Sequence, residues 1–241
     1  MPGTQATLPI TLNVSRTSTY PLAQHPLDGF KGSTSCSLPK HERTYLNRLL
    51  LESSLALCQT FVKGLVLDVG CGPRPYQKTF FRGASKYIGT DYLSDRSRPD
   101  VISSALQLPF RDLSFDSVVC TEVLEHVPEP LRALKEMHRV LKPGGSLVLT
   151  VPLYWPRHEV PYDFYRYPYD GLLYLVATAR FDLKKLFRRG RSYAFIGQAI
   201  QHVQPIPARF VSRLINAVFL CLDRRLRHDA LTLGWTVCAT K

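Results

Sequence analysis

The chain has 241 residues, 45% hydrophobic and 21% charged, an ordinary globular balance with length for one full-sized domain that needs no staple. Its six cysteines are scattered, with no C-x-x-C pair and no histidine at zinc-ligand spacing, which argues against a disulfide framework or a structural metal and for a reducing, cytoplasmic setting. Of the formal net charge of +12, +9 falls within residues 180–228, a segment suited to nucleic acid, anionic lipid or a phosphorylated substrate, or simply to a solvated face.

No basic n-region followed by an apolar h-region opens the sequence, and no run approaches the roughly 18 to 20 apolar residues of a membrane span. Residues 1–40 hold eleven Ser/Thr, five Pro and three Gly without periodicity, and are read as a loosely ordered leader. The domain proper is expected over 41–241. Between His41 and Cys58, Leu46, Leu49, Leu50 and Leu57 fit one helical face.

From Gly64 onward short apolar runs alternate with amphipathic stretches. Strands are expected at 65–69, 86–91, 100–102, 115–120 and 146–151, and a helix over Glu129–Leu141, stopped by Pro143-Gly144-Gly145. Weaker signals give a helix over 171–178 and strands over 181–187 and 231–240. This alternation predicts an α/β, Rossmann-like, doubly wound and mostly parallel seven-stranded sheet with helices on both faces. A basic helical insertion is expected at 190–230, before the last strand. Within it Phe210, Val211, Leu214, Ile215, Val218, Phe219, Leu222 and Leu226 form an apolar stripe at helical period. Packing onto the domain, a dimer face and a membrane-surface helix over 209–227 are the readings open for it.

The chemical signal is densest at Val66-Leu-Asp-Val-Gly-Cys-Gly-Pro73. Asp68 ends the first strand, and Gly70 and Gly72 let the following turn approach a ligand without an intervening Cβ. The third glycine of a G-x-G-x-x-G motif is replaced by Pro75, which argues against a pyrophosphate cradle. An acid two residues before Gly70 can instead pair with a cationic amine. Asp91, 19 residues after Gly72 and at the end of the second strand, is where a carboxylate accepts hydrogen bonds from a ribose diol.

Six ordered blocks, V-L-D-V-G-C-G (66–72), Y-I-G-T-D (87–91), A-L-Q-L-P-F (105–110), S-F-D-S-V-V (114–119), L-E-H-V (124–127) and R-V-L-K-P-G-G (139–145), resemble the class I methyltransferases, in particular small-molecule enzymes of the ubiquinone/menaquinone type. The resemblance implies S-adenosylmethionine as cofactor. It implies that Asp68, Gly70 and Gly72 hold the methionine portion and Asp91 the ribose, and that Ser104, Ala105 and Leu106 line the adenine. Many relatives carry Asp where Ser104 stands, so the adenine contact is weaker here. Thr121 and Glu122 are expected under the cofactor, with His126 in the pocket or structural.

Residues 152–169 follow the fifth strand and contain seven aromatics, four prolines, His158, Glu159, Asp163 and Arg166. The prolines favour a shaped wall over a mobile tether. A similar stretch is familiar from bacterial methyltransferases of surface-polysaccharide or secondary-metabolite pathways. Histidine is the side chain whose unperturbed pKa lies near neutrality, so His158 is the candidate base, with the alternative of bracing the loop. Glu159 or Asp163 would orient it, and Arg166 would bind an acidic group of the substrate. Tyr162 and Tyr165 read as walls. The expectation is methyl transfer to a hydroxyl of a small metabolite or sugar. A nucleic-acid methyltransferase is the rival reading, weakened because Thr121-Glu-Val-Leu-Glu-His126 is not an Asn/Asp-Pro-Pro-aromatic motif. A catalytically silent cofactor-binding scaffold and a membrane-peripheral enzyme acting on a lipid-linked substrate complete the set.

Overall fold

The computed structural model describes residues 24–28, 36–92, 98–205 and 208–241, so most of the expected leader lies outside the described residues. Seven strands, β1 (Gly64–Val69), β2 (Ala84–Asp91), β3 (Val101–Ile102), β4 (Phe115–Thr121), β5 (Leu141–Pro152), β6 (Asp182–Arg188) and β7 (Gly234–Thr240), form one sheet in the order β3-β2-β1-β4-β5-β7-β6. The first five pair in parallel, while β7 runs antiparallel between β5 and β6. Strand order reverses between β1 and β4, and a ligand crevice is expected beyond their carboxyl ends.

The central strands are apolar on both faces because both faces are covered. Leu67, Val118, Leu147 and Val237 pack into one cluster with Leu134 and Met137 of α3 (Pro130–Val140) and Leu172 and Val176 of α4 (Tyr169–Thr178). Their strand neighbours Val66, Val119, Val148 and Cys238 point the other way, against Leu51 and Leu55 of α1 (Tyr45–Leu57). A single turn of helix, α2 (Gln77–Phe80), follows β1.

Helix α3 ends at Val140, short of the Pro-Gly-Gly expected to stop it. Leu141 already pairs with Phe115, and the register shift before Ser117↔Ser146 absorbs Pro143-Gly144-Gly145 as an irregular entry into β5, Gly144 taking φ +73°. The triplet therefore bends a strand.

The insertion comprises two helices, α5 (Ser192–Val203) and α6 (Arg209–Arg225). Its apolar stripe does not simply face inward. The buried residues of α6 are Ser212, Asn216 and Asp223, each tied by hydrogen bonds. Asn216 Nδ2 donates to the carbonyls of Lys40 and Glu42, both at 2.9 Å. Asp223 accepts from the N–H groups of Arg191 and Ala194 and contacts His25 Nε2 at 3.0 Å. Polar satisfaction, which hydrophobic periodicity does not register, has chosen the inward face. Residues 24–28 join this packing: Gln24 bridges to Phe187 at the edge of β6, and Asp28 pairs with Arg191 at 2.5 Å.

Candidate active site

Beyond the carboxyl ends of β1, β2, β4 and β5 lies a cavity of about 850 Å³. Its floor is the β1 turn. Gly70 and Gly72 have φ +72° and +49°, in the left-handed region that favours glycine. A Cβ on Gly70 would stand 2.3 Å from Val123 Cγ2, whereas none lies within 4 Å of one on Gly72. The turn thus keeps room where a ligand would approach. Asp91 Oδ2 accepts the N–H of Gly72 at 2.9 Å, joining the β1 turn to the end of β2.

Asp68 is 2% exposed and stands behind the cavity wall rather than in it. Its Oδ2 accepts the Tyr87 hydroxyl at 2.6 Å, and its Oδ1 has no hydrogen-bond partner among the described residues. Burial pushes this carboxyl up to about 7, against the opposing effect of the Tyr87 hydrogen bond. A cationic group nearby would relieve that cost. Ser104, Ala105, Leu106 and Thr121 all line the cavity, and Ser104 Oγ is already accepting the Leu106 N–H at 3.2 Å.

Glu122 also lines it, at φ +53°, a conformation strained for a residue with a Cβ and held by its N–H to Thr150. Its Oε1 accepts the Thr150 hydroxyl at 2.8 Å, and its Oε2 lies 3.0 Å from Nη1 of Arg189, whose side chain is wholly buried. Glu125, one turn on, is 1% exposed with Oε2 unpartnered. Burial, and next the nearby Glu122 carboxylate, hold its carboxyl well above the usual range.

The opposite wall is the aromatic loop after β5. It is pinned to the 124–128 turn: the Phe164 and Tyr165 N–H groups donate to the Glu125 carbonyl at 2.9 and 3.2 Å, and the Tyr165 hydroxyl to that of Pro128. Asp163 braces the loop from behind. It accepts the His158 N–H at 3.0 Å and the fork of Arg166, and these hold its carboxyl far below the ordinary range. Arg166 also donates to the carbonyls of Trp155 and Pro156. Of the four residues expected to do chemistry, His158 and exposed Glu159 face the cavity, while Asp163 and Arg166 do not. Arg166 is turned into the loop, where its hydrogen bonds are consumed as a brace instead of awaiting a substrate acid.

The His126 and His158 rings meet edge to face, centroids 4.7 Å apart. Sequence reasoning passed over Glu125 and Arg189. The first had a legible signal, since Glu122, Glu125 and His126 recur at one-turn spacing. The second sits inside a basic run and carried none. Asn47, Arg48 and Leu51 of α1, with Thr44 just before it, contribute a further wall not anticipated.

The strand order, the glycine turn beside Asp91 and the cavity at the switch point define a class I methyltransferase architecture. Residues 67–149 match the family model described as a methyltransferase domain. Over those residues the chain thus reads as a class I, S-adenosylmethionine-dependent methyltransferase domain. Over 97 residues it is 36% identical to the "Probable tRNA methyltransferase 9B" of Mus musculus, covering 36% of this chain and 21% of that protein. Over 99 residues it is 35% identical to the ubiquinone biosynthesis O-methyltransferase of Xanthomonas campestris pv. campestris (strain B100), covering 35% and 41%. These matches span less than half the length of either relative. In fold the chain is similar to the [4+2]-cyclase SpnF (TM-score 0.56, 23% identity, 86% of each chain). It is also similar to an S-adenosylmethionine-dependent methyltransferase from Mesorhizobium loti (TM-score 0.52, 19% identity, 81% of this chain and all of that one at 100%).

Proposed function

We propose that the protein methylates a hydroxyl of a small-molecule acceptor, with S-adenosylmethionine as donor. One observation carries this reading. The cavity joins a glycine turn and Asp91 on one side to a braced aromatic wall bearing His158 on the other. When bound, the cofactor supplies an activated methyl group on a sulfonium. The chain supplies alignment and exclusion of water. Gly70 and Gly72 would admit the methionine portion, Asp68 would compensate its ammonium, and Asp91 would hold the ribose diol. Ser104, Ala105 and Leu106 would border the adenine, with Thr121 and Glu122 beneath. Trp155, Tyr162 and Phe164 would form the acceptor side, with His126, His158, Glu125 and Glu159 as polar groups there. Asp163 and Arg166 are positioning residues for His158.

The test is calorimetric titration with S-adenosylmethionine and S-adenosylhomocysteine, alongside Asp91→Ala. Binding that is lost in the variant supports the cofactor site and justifies an acceptor screen. A folded wild-type chain that binds neither molecule overturns the reading. SpnF, a cyclase with a similar fold, makes the acceptor screen a separate requirement from cofactor binding.

A second reading concerns where the enzyme works. Phe210, Leu214 and Val218 on α6 are 76, 53 and 43% exposed, and Val203 at the end of α5 is 78% exposed. Arg209, Arg213, Arg224 and Arg225 surround them, all exposed. An apolar face rimmed by arginines is suited to an anionic membrane surface and a lipid-linked acceptor. No helix among the described residues is long and apolar enough to cross a membrane. Flotation with vesicles containing phosphatidylglycerol, against neutral vesicles, tests this. Salt-sensitive binding of RNA in place of vesicles would favour the nucleic-acid reading.

A further inference from the structure

Glu125, His126 and His158 all line the cavity, and one potential ligand atom from each lies within 4.8 Å of the others. The tautomers are set by their surroundings. His126 Nδ1 lies 2.6 Å from the carbonyl of Tyr162, and His158 Nδ1 lies 3.2 Å from that of Pro156. A carbonyl only accepts, so each Nδ1 carries the proton and each Nε2 keeps its lone pair. This is the arrangement in which an outer hydrogen bond orients a metal-binding imidazole. The third member is the buried carboxyl of Glu125, whose Oε1 lies 3.9 Å from His126 Nε2 and whose Oε2 has no hydrogen-bond partner among the described residues. Hydrogen bonding leaves this carboxyl unsatisfied, and a cation between it and the imidazoles would compensate it.

We infer that Glu125, His126 and His158 form a binding site for one divalent transition-metal cation, open toward the acceptor. Two imidazoles and one carboxylate suit Zn²⁺, Mn²⁺ or Fe²⁺ better than Ca²⁺, which prefers all-oxygen ligands. Ligand atoms bound to one such ion at about 2.1–2.2 Å in a tetrahedral set stand about 3.5 Å apart. From separations of up to 4.8 Å, closing the set needs a shift of up to about 1.3 Å, within reach of a part-exposed His158 on a surface loop. Three protein ligands leave coordination positions for an acceptor oxygen, as in catalytic rather than structural sites.

The inference deepens the proposed methyl transfer, on which its chemical role rests. The cation would favour loss of the acceptor O–H proton to water. The oxygen then forms the new C–O bond as the C–S bond of the sulfonium breaks, and that electron pair stays on sulfur. His158 would thus act by holding the cation, and the acceptor class narrows to hydroxyls, vicinal pairs included.

The full chain, stripped with a chelator, is titrated with Co²⁺ alone and followed by its visible absorption, then challenged with Zn²⁺. One Co²⁺ per chain is expected, displaced by Zn²⁺, without a thiolate charge-transfer band. Glu125→Gln and His158→Ala are each expected to weaken binding at least about 100-fold. His41→Ala, outside the cavity, leaves it unchanged. If Glu125→Gln does not fold, His126→Ala replaces it. No stoichiometric Co²⁺, a thiolate band, or affinity unchanged in the ligand variants overturns the site. The same samples are titrated with S-adenosylhomocysteine. Cofactor binding without Co²⁺ binding sinks the metal site alone, and Co²⁺ binding without cofactor binding sinks the methyl-transfer reading alone.

Discussion

The guanidinium of Arg189 sits wholly buried, 3.0 Å from the carboxylate of Glu122 at the end of β4. It also donates to the carbonyl of Val151 at 2.7 Å. Arg189 directly follows β6, and Gly234 of β7 leaves it room, since a Cβ there would stand 2.1 Å from Nη2. One ion pair thereby ties the edge of the sheet that carries the insertion to the cavity lining after β4.

A buried pair is strongly missed only when one partner goes. Glu122→Gln strands the wholly buried Arg189 and is expected to cost about 3–5 kcal/mol in urea unfolding, whereas Arg189→Met leaves a Glu122 that still reaches the cavity and costs less. The double variant is expected to cost less than the sum of the two. Additive costs in the double-mutant cycle would show the two side chains to be energetically independent.

If Asp68 faces the ammonium as proposed, cofactor affinity is expected to depend on pH. Its carboxyl titrates near 7 because it is buried, and an ammonium beside it favours the ionised form. Binding of S-adenosylhomocysteine should weaken by up to about tenfold per unit as pH falls below 7, with a proton released on binding. In the free protein the sign is reversed. Between the ordinary Asp value of 3.8 and about 7 the folded chain holds the extra proton, so stability falls as pH rises through that window. Calorimetry in two buffers of different ionisation enthalpy, with Asp68→Asn as control, measures the proton. A wild-type affinity as flat as the variant's would exclude Asp68 from the cofactor site.

Much of this was legible from the sequence because the central strands are apolar on both faces and their turns hold glycine and acid at fixed places. Leu65-Val-Leu-Asp-Val69 admits one reading in an α/β chain, and Gly70, Gly72 and Asp91 lie where that reading puts them. The Pro143-Gly144-Gly145 triplet was ambiguous, since the same residues stop a helix or kink a strand. What the sequence concealed depends on pairing across long separations. Arg189 is one arginine among many until Glu122 lies opposite, 67 positions away. Asp163 and Arg166 are only three apart, yet from the sequence Arg166 reads as a group for a substrate acid and Asp163 as an orienter of His158, whereas the fork closes on Asp163 within its own loop.

That closure predicts a separation of effects. Asp163→Asn removes the charge that Arg166 grips and weakens the acceptor of the His158 N–H. Hydrogen exchange over 153–166 should speed at least about tenfold, a loss of about 1.4 kcal/mol or more of local stability. Affinity for S-adenosylhomocysteine should change less than about twofold, because the glycine turn and Asp91 lie on the opposite wall. Unaltered exchange in the loop would remove Asp163 from its bracing role.

The two faces of α6 invert the usual expectation for a helix, and substitutions test this directly. Leu214 is 53% exposed and Asn216 1% exposed. Leu214→Ser should shift stability by no more than about 0.5 kcal/mol. Asn216→Ala strands the carbonyls of Lys40 and Glu42 and the amide of Gln201, and should cost about 1–3 kcal/mol. If vesicles bind through this face, Leu214→Ser together with Phe210→Ser abolishes flotation while melting and cofactor affinity stay unchanged. A double variant that unfolds would mean that the apolar stripe packs inward. One that stays folded and still floats would move the lipid contact to another part of the surface.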